Sequence, residues 1–508
     1  MTPGRLGLAL ALAAAARPAS AQTPVVRVTG GRVAGVVVPS GIREFRGLPF
    51  AASPVGSLRW RAPQPVVPWT GVKDASRFGP RCVQARIFSD MEFRSPGDSE
   101  DCLTLNVWAP PHRAARLPVL LYFFGGGYVA GDASEFRYDG EAMARRGIVV
   151  VTANYRLGVF GFLAHPALTA ESPHRSSGNY GLLDQVAALR WVRDNVAAFG
   201  GDPARITIAG ESAGSISVNA LMVSPLSRRL IAGAIGESGG LINPTIPPVS
   251  LDSAEQDGVA FAREMGDSSL AALRALPAAT LLERSAGHRF PIDRDGWALT
   301  ELPESTLAGG RQAHVPLLVG WNAKESGWQG ILGDSAPTPG RYAAAVRRLY
   351  GADADAVLRA FPGGDSNQVM ESGTLLASAR FTALSTWTWA RLAGRTGERP
   401  VYVYHYTRSR GDGGAVHSAE IEYALGNLGT NHVYRWTADD SAVSAAMQAY
   451  FAAFIKTGRP AARGLPVWPA NNTDSMPVMT LDVRPRVARP AFAGPFALLD
   501  SLLGRPTH

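Results

Sequence analysis

The 508-residue sequence predicts an α/β fold, with a large, mostly parallel central sheet and helices on both faces. Three observations predict it. Short apolar runs recur without a polar face: Leu117 to Phe124, Ile148 to Thr152, Arg205 to Ala209, Val315 to Val319 and Val401 to Tyr404. Strands apolar on both sides must be covered on both sides, which is the arrangement of a parallel sheet between helical layers. Helical periodicity separates these runs; between Gly178 and Phe199, the residues Leu182, Val186, Leu189, Val192 and Val196 share one face. Finally, the run Arg205-Ile-Thr-Ile-Ala209 leads into Gly210-Glu-Ser-Ala-Gly214 and then into a helical stretch from Ala213 to about Met222.

The elements follow in order. Val25 to Val28 and Val36 to Val38 flank Gly30-Gly31 and are expected to pair as a hairpin. The Leu117 run ends in three glycines, and the Ile148 run is followed by Asn154-Tyr155-Arg156. Pro244 to Pro248 reads as a surface connection. Helical pieces near 252–265 and 268–284 form an expected insertion ahead of the Val315 strand. No internal repeat interrupts the pattern.

The segment around Ser212 has the form of the nucleophile elbow of an α/β-hydrolase, G-x-S-x-G between a strand and a helix. The turn is crowded, and glycines at 210 and 214 remove the Cβ atoms that would clash across it. Backbone N–H groups at the helix start point toward charge developing near the serine. Gly236-Glu-Ser238-Gly-Gly240 matches the same pattern, but Asn243, Pro244, Pro247 and Pro248 follow it and cannot start a helix. Ser212 is therefore the expected nucleophile, and Ser238 a residue near the site.

The formal charge is +8, carried almost wholly by scattered arginines, since the lysines are Lys73, Lys324 and Lys456. No dense basic run marks a nucleic-acid footprint. Residues 1–21 have a short basic start, an apolar run from Leu6 to Ala16 and Ala19-Ser-Ala21, the form of a secretory signal peptide cleaved before Gln22. The expected location is secreted or periplasmic. No later run of about 18 apolar residues predicts an integral membrane segment. In an exported chain the cysteine pair, Cys82 and Cys102, suggests a disulfide contributing about 3 kcal/mol; the other reading is two buried thiols. Two cysteines without clustered histidines give no metal pattern.

A serine nucleophile needs a base, an acid that orients it, and donors for an oxyanion; in this fold the order is Ser, acid, His. Of the nine histidines, His417 lies in a glycine-rich loop after the Val401 strand, where a base should hang; His405 sits within the strand pattern. The acid should follow an intervening strand. Five residues, 320–324, separate Val319 from Glu325, which stands ahead of Asp293, Asp295, Glu301 and Glu304 as candidates. The glycines of Phe124-Gly-Gly-Gly-Tyr128 can turn N–H groups of Gly126 and Gly127 toward an oxyanion, joined by that of Ala213. The spacing does not fit a dinucleotide or Walker loop.

These residues resemble the type-B carboxylesterase family, which includes cholinesterases and bacterial carboxylesterases. The resemblance runs through Phe45 to Ala51, Leu58 to Pro63, Ser99 to Asn106, Asn154 to Gly161, Gly178 to Gln185, the elbow, Tyr450 to Gly458 and Trp468-Pro469. It implies one catalytic domain over 22–508, helical insertions over an active-site gorge, a Ser212–Glu325–His417 triad and no cofactor. It also implies a Cys82–Cys102 disulfide on a loop rimming the gorge. Three departures stand out. Phe124 replaces the frequent histidine before the glycines, Lys324-Glu325-Ser326 replaces Asp-Glu-Gly, and residues 83–101 lack the tryptophan with which cholinesterases bind choline.

The expected function is a serine carboxylic ester hydrolase working through an acyl-enzyme on a small-molecule ester, short-chain or aromatic. The alternatives are a lipase, a polyester- or phthalate-ester hydrolase, or a non-catalytic adhesion protein on the same fold. Tyr128, Glu211, Ser238, Trp321 and Tyr423 are candidate pocket residues, with Trp328 a further gorge aromatic; the other reading of each aromatic is a core residue. Glu211 either tunes the base electrostatically or is a helix-start carboxylate favoured by the dipole.

Overall fold

A computed structural model describes residues 23–111, 116–266, 269–471 and 476–503. The signal-peptide reading of residues 1–21 lies outside them. An eleven-stranded sheet organises the chain. In chain order its strands are β1 (Val36–Val37), β2 (Arg43–Pro49), β3 (Thr104–Ala109), β4 (Leu117–Phe123), β5 (Val149–Ala153) and β6 (Gly201–Glu211). They continue with β7 (Gly233–Glu237), β8 (Leu317–Asn322), β9 (Val401–Tyr406), β10 (Val478–Leu481) and β11 (Arg486–Ala488). The spatial order is β11-β10-β9-β8-β7-β6-β4-β5-β3-β2-β1. Neighbours from β10 to β5 are parallel, and antiparallel strands extend both edges.

The two-sided apolar runs became strands for the reason expected of them. Every residue of β5, β7 and β8 is buried. Helix α1 (Tyr180–Asn195) buries Leu182, Val186, Leu189 and Val192. It also buries Asp184, whose two oxygens take Nε and Nη2 of Arg156 at 2.8 and 2.7 Å. That pair ties the segment after β5 to the helix and lets both charges be buried together.

The structure departs from the sequence reading in three places. Val25–Val28 pairs with Gly31–Ala34, whereas Val36–Val37 joins the main sheet. The Val315 strand begins at Leu317 and runs on to Asn322, because Gly320, Trp321 and Asn322 pair with Tyr404, His405 and Tyr406. Glu325 is thus closer to its strand end than the apolar run alone suggested. The 268–284 piece is two helices, Leu270–Ala275 and Ala278–Arg284, separated at Pro277, which cannot donate to a continuing helix. Among the described residues no helix is long and apolar enough to cross a membrane.

Candidate active site

The C-terminal ends of parallel strands collect the candidate residues, as sheets of this kind require. Strand β6 passes into helix α2 (Ala213–Val223) through Ser212, whose φ of 55° and ψ of −120° push its side chain out of the turn. The flanking glycines are demanded by space. A Cβ on Gly214 would lie 2.1 Å from the Phe123 carbonyl oxygen, and one on Gly210 would lie 2.5 Å from the Gly214 carbonyl carbon. Ser238 follows β7 without a helix and is wholly buried.

The sheet brings Ser212, His417 and Glu325 into one hydrogen-bonded chain. Ser212 Oγ lies 2.9 Å from His417 Nε2, and His417 Nδ1 lies 2.6 Å from Glu325 Oε2. The Asn322 N–H and the Ser238 hydroxyl donate to the other oxygen, Oε1, both at 2.6 Å. Lys324 turns away and donates from Nζ to the Gly413 carbonyl. Its backbone bridges Val416, which holds the Glu325 loop against the His417 loop.

Gly126 and Gly127 have φ of +108° and +63°. A Cβ on Gly126 would sit 2.1 Å from the Ala130 carbonyl oxygen. Among the described residues no hydrogen bond uses the backbone N–H of Gly126, Gly127 or Ala213. Two contacts absent from the sequence reading brace this loop. Tyr155 donates to the Phe124 carbonyl at 2.7 Å and stacks on the Phe124 ring. Gln84, beside the Cys82–Cys102 disulfide, grips Gly131 through both its amide atoms at 2.8 Å.

Charge around the imidazole is unusually negative. Glu211, Glu237 and Glu420 are buried near Glu325. Burial raises all three. Glu325 adds to the rise of Glu211; Glu420 and Glu211 push Glu237 far above the carboxylate range; and Glu211 and Glu325 bring Glu420 to about 8. His417 Nδ1 and Nε2 face Glu325 and Glu211 at 2.6 and 3.3 Å. Burial of the ring opposes its charge, but Glu211, Glu325 and Glu420 outweigh it and push the imidazole up to about 9. Its side chain keeps 23% exposure, so water screens part of that pull.

The aromatic pocket candidates are elsewhere. Trp321 is buried among Trp387, His405, Phe492 and Phe496. Tyr423 is buried against Tyr406 and Trp436 and bonds Asp440. Tyr128 is buried against Tyr155 and Phe162, its hydroxyl 3.0 Å from Ser217. Each is core because its polar tip or ring finds partners inside. Trp328 is half-buried and lies against Gly373. Glu211 and Ser238 are buried, Glu211 accepting from the Ser418 hydroxyl and Ser238 lying against Glu325 and Glu420. Among the described residues, Phe381 brings an aromatic ring against His417. It lies on a π-helical turn, Ala379–Ala383, its ring 4.9 Å from the His417 imidazole and 44% exposed. Such turns re-aim side chains without ending a helix, and no periodicity signal marks one. Exposed Val129 flanks Gly127.

No group of three or more His, Cys, Asp or Glu among the described residues could hold a metal ion. What the arrangement can do is activate one serine hydroxyl beside a row of backbone donors.

Such a sheet, with a strained serine between strand and helix, defines an α/β-hydrolase. The chain belongs to the carboxylesterase family, whose model matches residues 22–496. It is 38% identical to a fumonisin B1 esterase of Sphingopyxis macrogoltabida, over 83% of this chain and 79% of that protein. A para-nitrobenzyl esterase of Bacillus subtilis (strain 168) is 32% identical over 90% of this chain and 94% of its own. A phenmedipham hydrolase of Pseudarthrobacter oxydans is 32% identical over 92% and 97%. The protein is a carboxylic ester hydrolase.

Proposed function

We propose that the hydrolysis runs through an acyl-enzyme on Ser212. The observation that carries this reading is the continuous chain from Ser212 Oγ through His417 to Glu325. Ser212 Oγ attacks the ester carbonyl carbon as its proton passes to His417 Nε2. Glu325 holds the imidazole tautomer and stabilises the imidazolium. The N–H groups of Gly126, Gly127 and Ala213 receive the oxyanion, each donor contributing on the order of 10²-fold or more in rate. Collapse expels the alcohol, which takes the proton from His417. Water, deprotonated by His417, then attacks the acyl carbon and releases the acid and Ser212.

Phe381 and Val129 favour esters with apolar or aromatic groups, and the Bacillus relative is named for a para-nitrobenzyl ester. Short-chain or aromatic carboxylic esters are the substrates we propose. A panel varying acyl and alcohol size separates them from lipids and from polyester or phthalate esters. The same reading takes residues 1–21 as a secretory leader and 22–508 as one catalytic domain. The Cys82–Cys102 disulfide supports an oxidising location. A mature chain starting at Gln22 in the exported fraction is the matching result.

A fluorophosphonate probe tests the mechanism. It labels Ser212 in the wild type and nothing in Ser212→Ala; no adduct on Ser212 would sink the proposal.

A further inference from the structure

Ser238 has one hydroxyl proton and faces two carboxyl oxygens. Its Oγ lies 2.6 Å from Glu325 Oε1 and 3.2 Å from Glu420 Oε1, and all three residues are buried. A hydroxyl donates once and accepts through its lone pairs. The shorter contact takes the proton, so Ser238 donates to Glu325. The contact with Glu420 is then favourable only if its hydrogen comes from Glu420. Otherwise lone pairs face one another in a site of low dielectric, which is costly. The second oxygen of Glu420, Oε2, accepts from Asn322 Nδ2, which also donates to the Val416 carbonyl. A carboxylic acid satisfies both contacts; a carboxylate leaves one repulsive.

We propose that Glu420 is a positioning residue held as a neutral carboxylic acid, whose O–H donates to Ser238 and thereby aims the Ser238 proton at Glu325. This rests on the triad reading above. The surroundings agree. Glu211, Glu237 and Glu325, at or beyond the ends of β6, β7 and β8, resist another negative charge. Tyr122 on β4 and Tyr404 and Tyr406 on β9 face it as neutral phenols. His417, on its own loop, is the group that can offset its charge. Burial, Glu211 and Glu325 push Glu420 up to about 8, against the Asn322 hydrogen bond. When the proton leaves, Ser238 is drawn toward the new anion and Glu325 loses a donor.

The test is kcat and KM for p-nitrophenyl acetate against pH in wild type, Glu420→Ala and Glu420→Gln, with fluorophosphonate labelling of each. Glutamine copies the neutral acid, offering an N–H to Ser238 and a carbonyl to Asn322. Alanine is expected to lower kcat roughly 10-fold or more with KM little changed, and glutamine to restore it to within about three-fold of wild type. Loss of the Glu420 proton at alkaline pH is expected to lower kcat in the wild type, and that fall should be absent from Glu420→Gln. Glutamine as damaging as alanine, or an alkaline fall that persists in Glu420→Gln, overturns the proposal. Unlabelled Ser212 in the wild type would instead remove the triad reading beneath it. If Glu420→Ala does not fold, the pH comparison of Glu420→Gln with wild type still decides.

Discussion

Glu211 Oε1 lies 3.3 Å from His417 Nε2, the same nitrogen that faces Ser212. The residue before Ser212 therefore touches the imidazole that faces it, and Ser418, the residue after His417, donates to that carboxylate at 2.5 Å. The imidazole sits between two carboxyl groups, one on each nitrogen.

Replacing Glu211 with Gln should shift the acid limb of kcat/KM to lower pH. The base must be neutral to act, and a raised imidazole becomes neutral only at higher pH; burial lowers it, while Glu211 is foremost among the groups that raise it. The same change should lower kcat roughly 10-fold, because the imidazolium formed in the transition state loses a counter-charge. An acid limb that stays in place would show that Glu211 does not set the base.

Glu325→Gln should cut kcat by roughly 10³-fold or more while KM moves little, since the amide cannot stabilise the imidazolium and presents a donor where Nδ1–H needs an acceptor. Unchanged turnover of p-nitrophenyl acetate would place the acid elsewhere.

Gly214→Ala tests the elbow as packing. Its Cβ would meet backbone, the Phe123 carbonyl oxygen at 2.1 Å, so no rotamer change relieves it. We expect a loss of about 3 kcal/mol or more in denaturant unfolding. A variant as stable as wild type would mean that strand and helix separate easily there.

Phe381→Ala should change selectivity more than chemistry. Its ring is an exposed wall beside His417. Esters with aromatic groups should lose about 10-fold in kcat/KM, and acetate esters of small alcohols much less. Equal losses on both would assign Phe381 to holding His417 in place.

Glu237→Gln should stabilise the fold, increasingly so at higher pH. Burial raises Glu237 far above its ordinary value, with Glu420 and Glu211 adding to the shift. The folded state thus holds a proton that the unfolded chain has released above about pH 4.5, and stability is lost as pH rises from there toward the folded value. The neutral amide removes that loss. Melting temperatures at pH 5 and pH 8 check this; a gap that does not widen with pH would contradict it.

Local chemistry made much of this legible. Apolar runs without a polar face specify buried parallel strands wherever they are placed, and Gly210 and Gly214 mark a crowded turn because only hydrogen fits there. The two G-x-S-x-G motifs separate on helix-forming capacity alone: a helix follows Ser212 and none follows Ser238. Strand ends were less legible. Leu317–Asn322 extends past its apolar run because pairing with Tyr404 to Tyr406 holds it, a fact of the neighbouring strand.

The sequence by itself determined the strand–serine–helix turn and the glycine loop, since each depends on residues adjacent in the chain; it offered Glu325 and His417 as candidates by their places after later apolar runs. Only the tertiary structure decided which aromatics are core and which reach the site. It placed Trp321 and Tyr423 inside and, through a π-helical turn, Phe381 outside. It also assembled Glu211, Glu237, Glu325 and Glu420 from separate strands and loops into one buried cluster around His417. A carboxyl's charge depends on what surrounds it within a few ångströms, and those neighbours come from positions far apart in the chain.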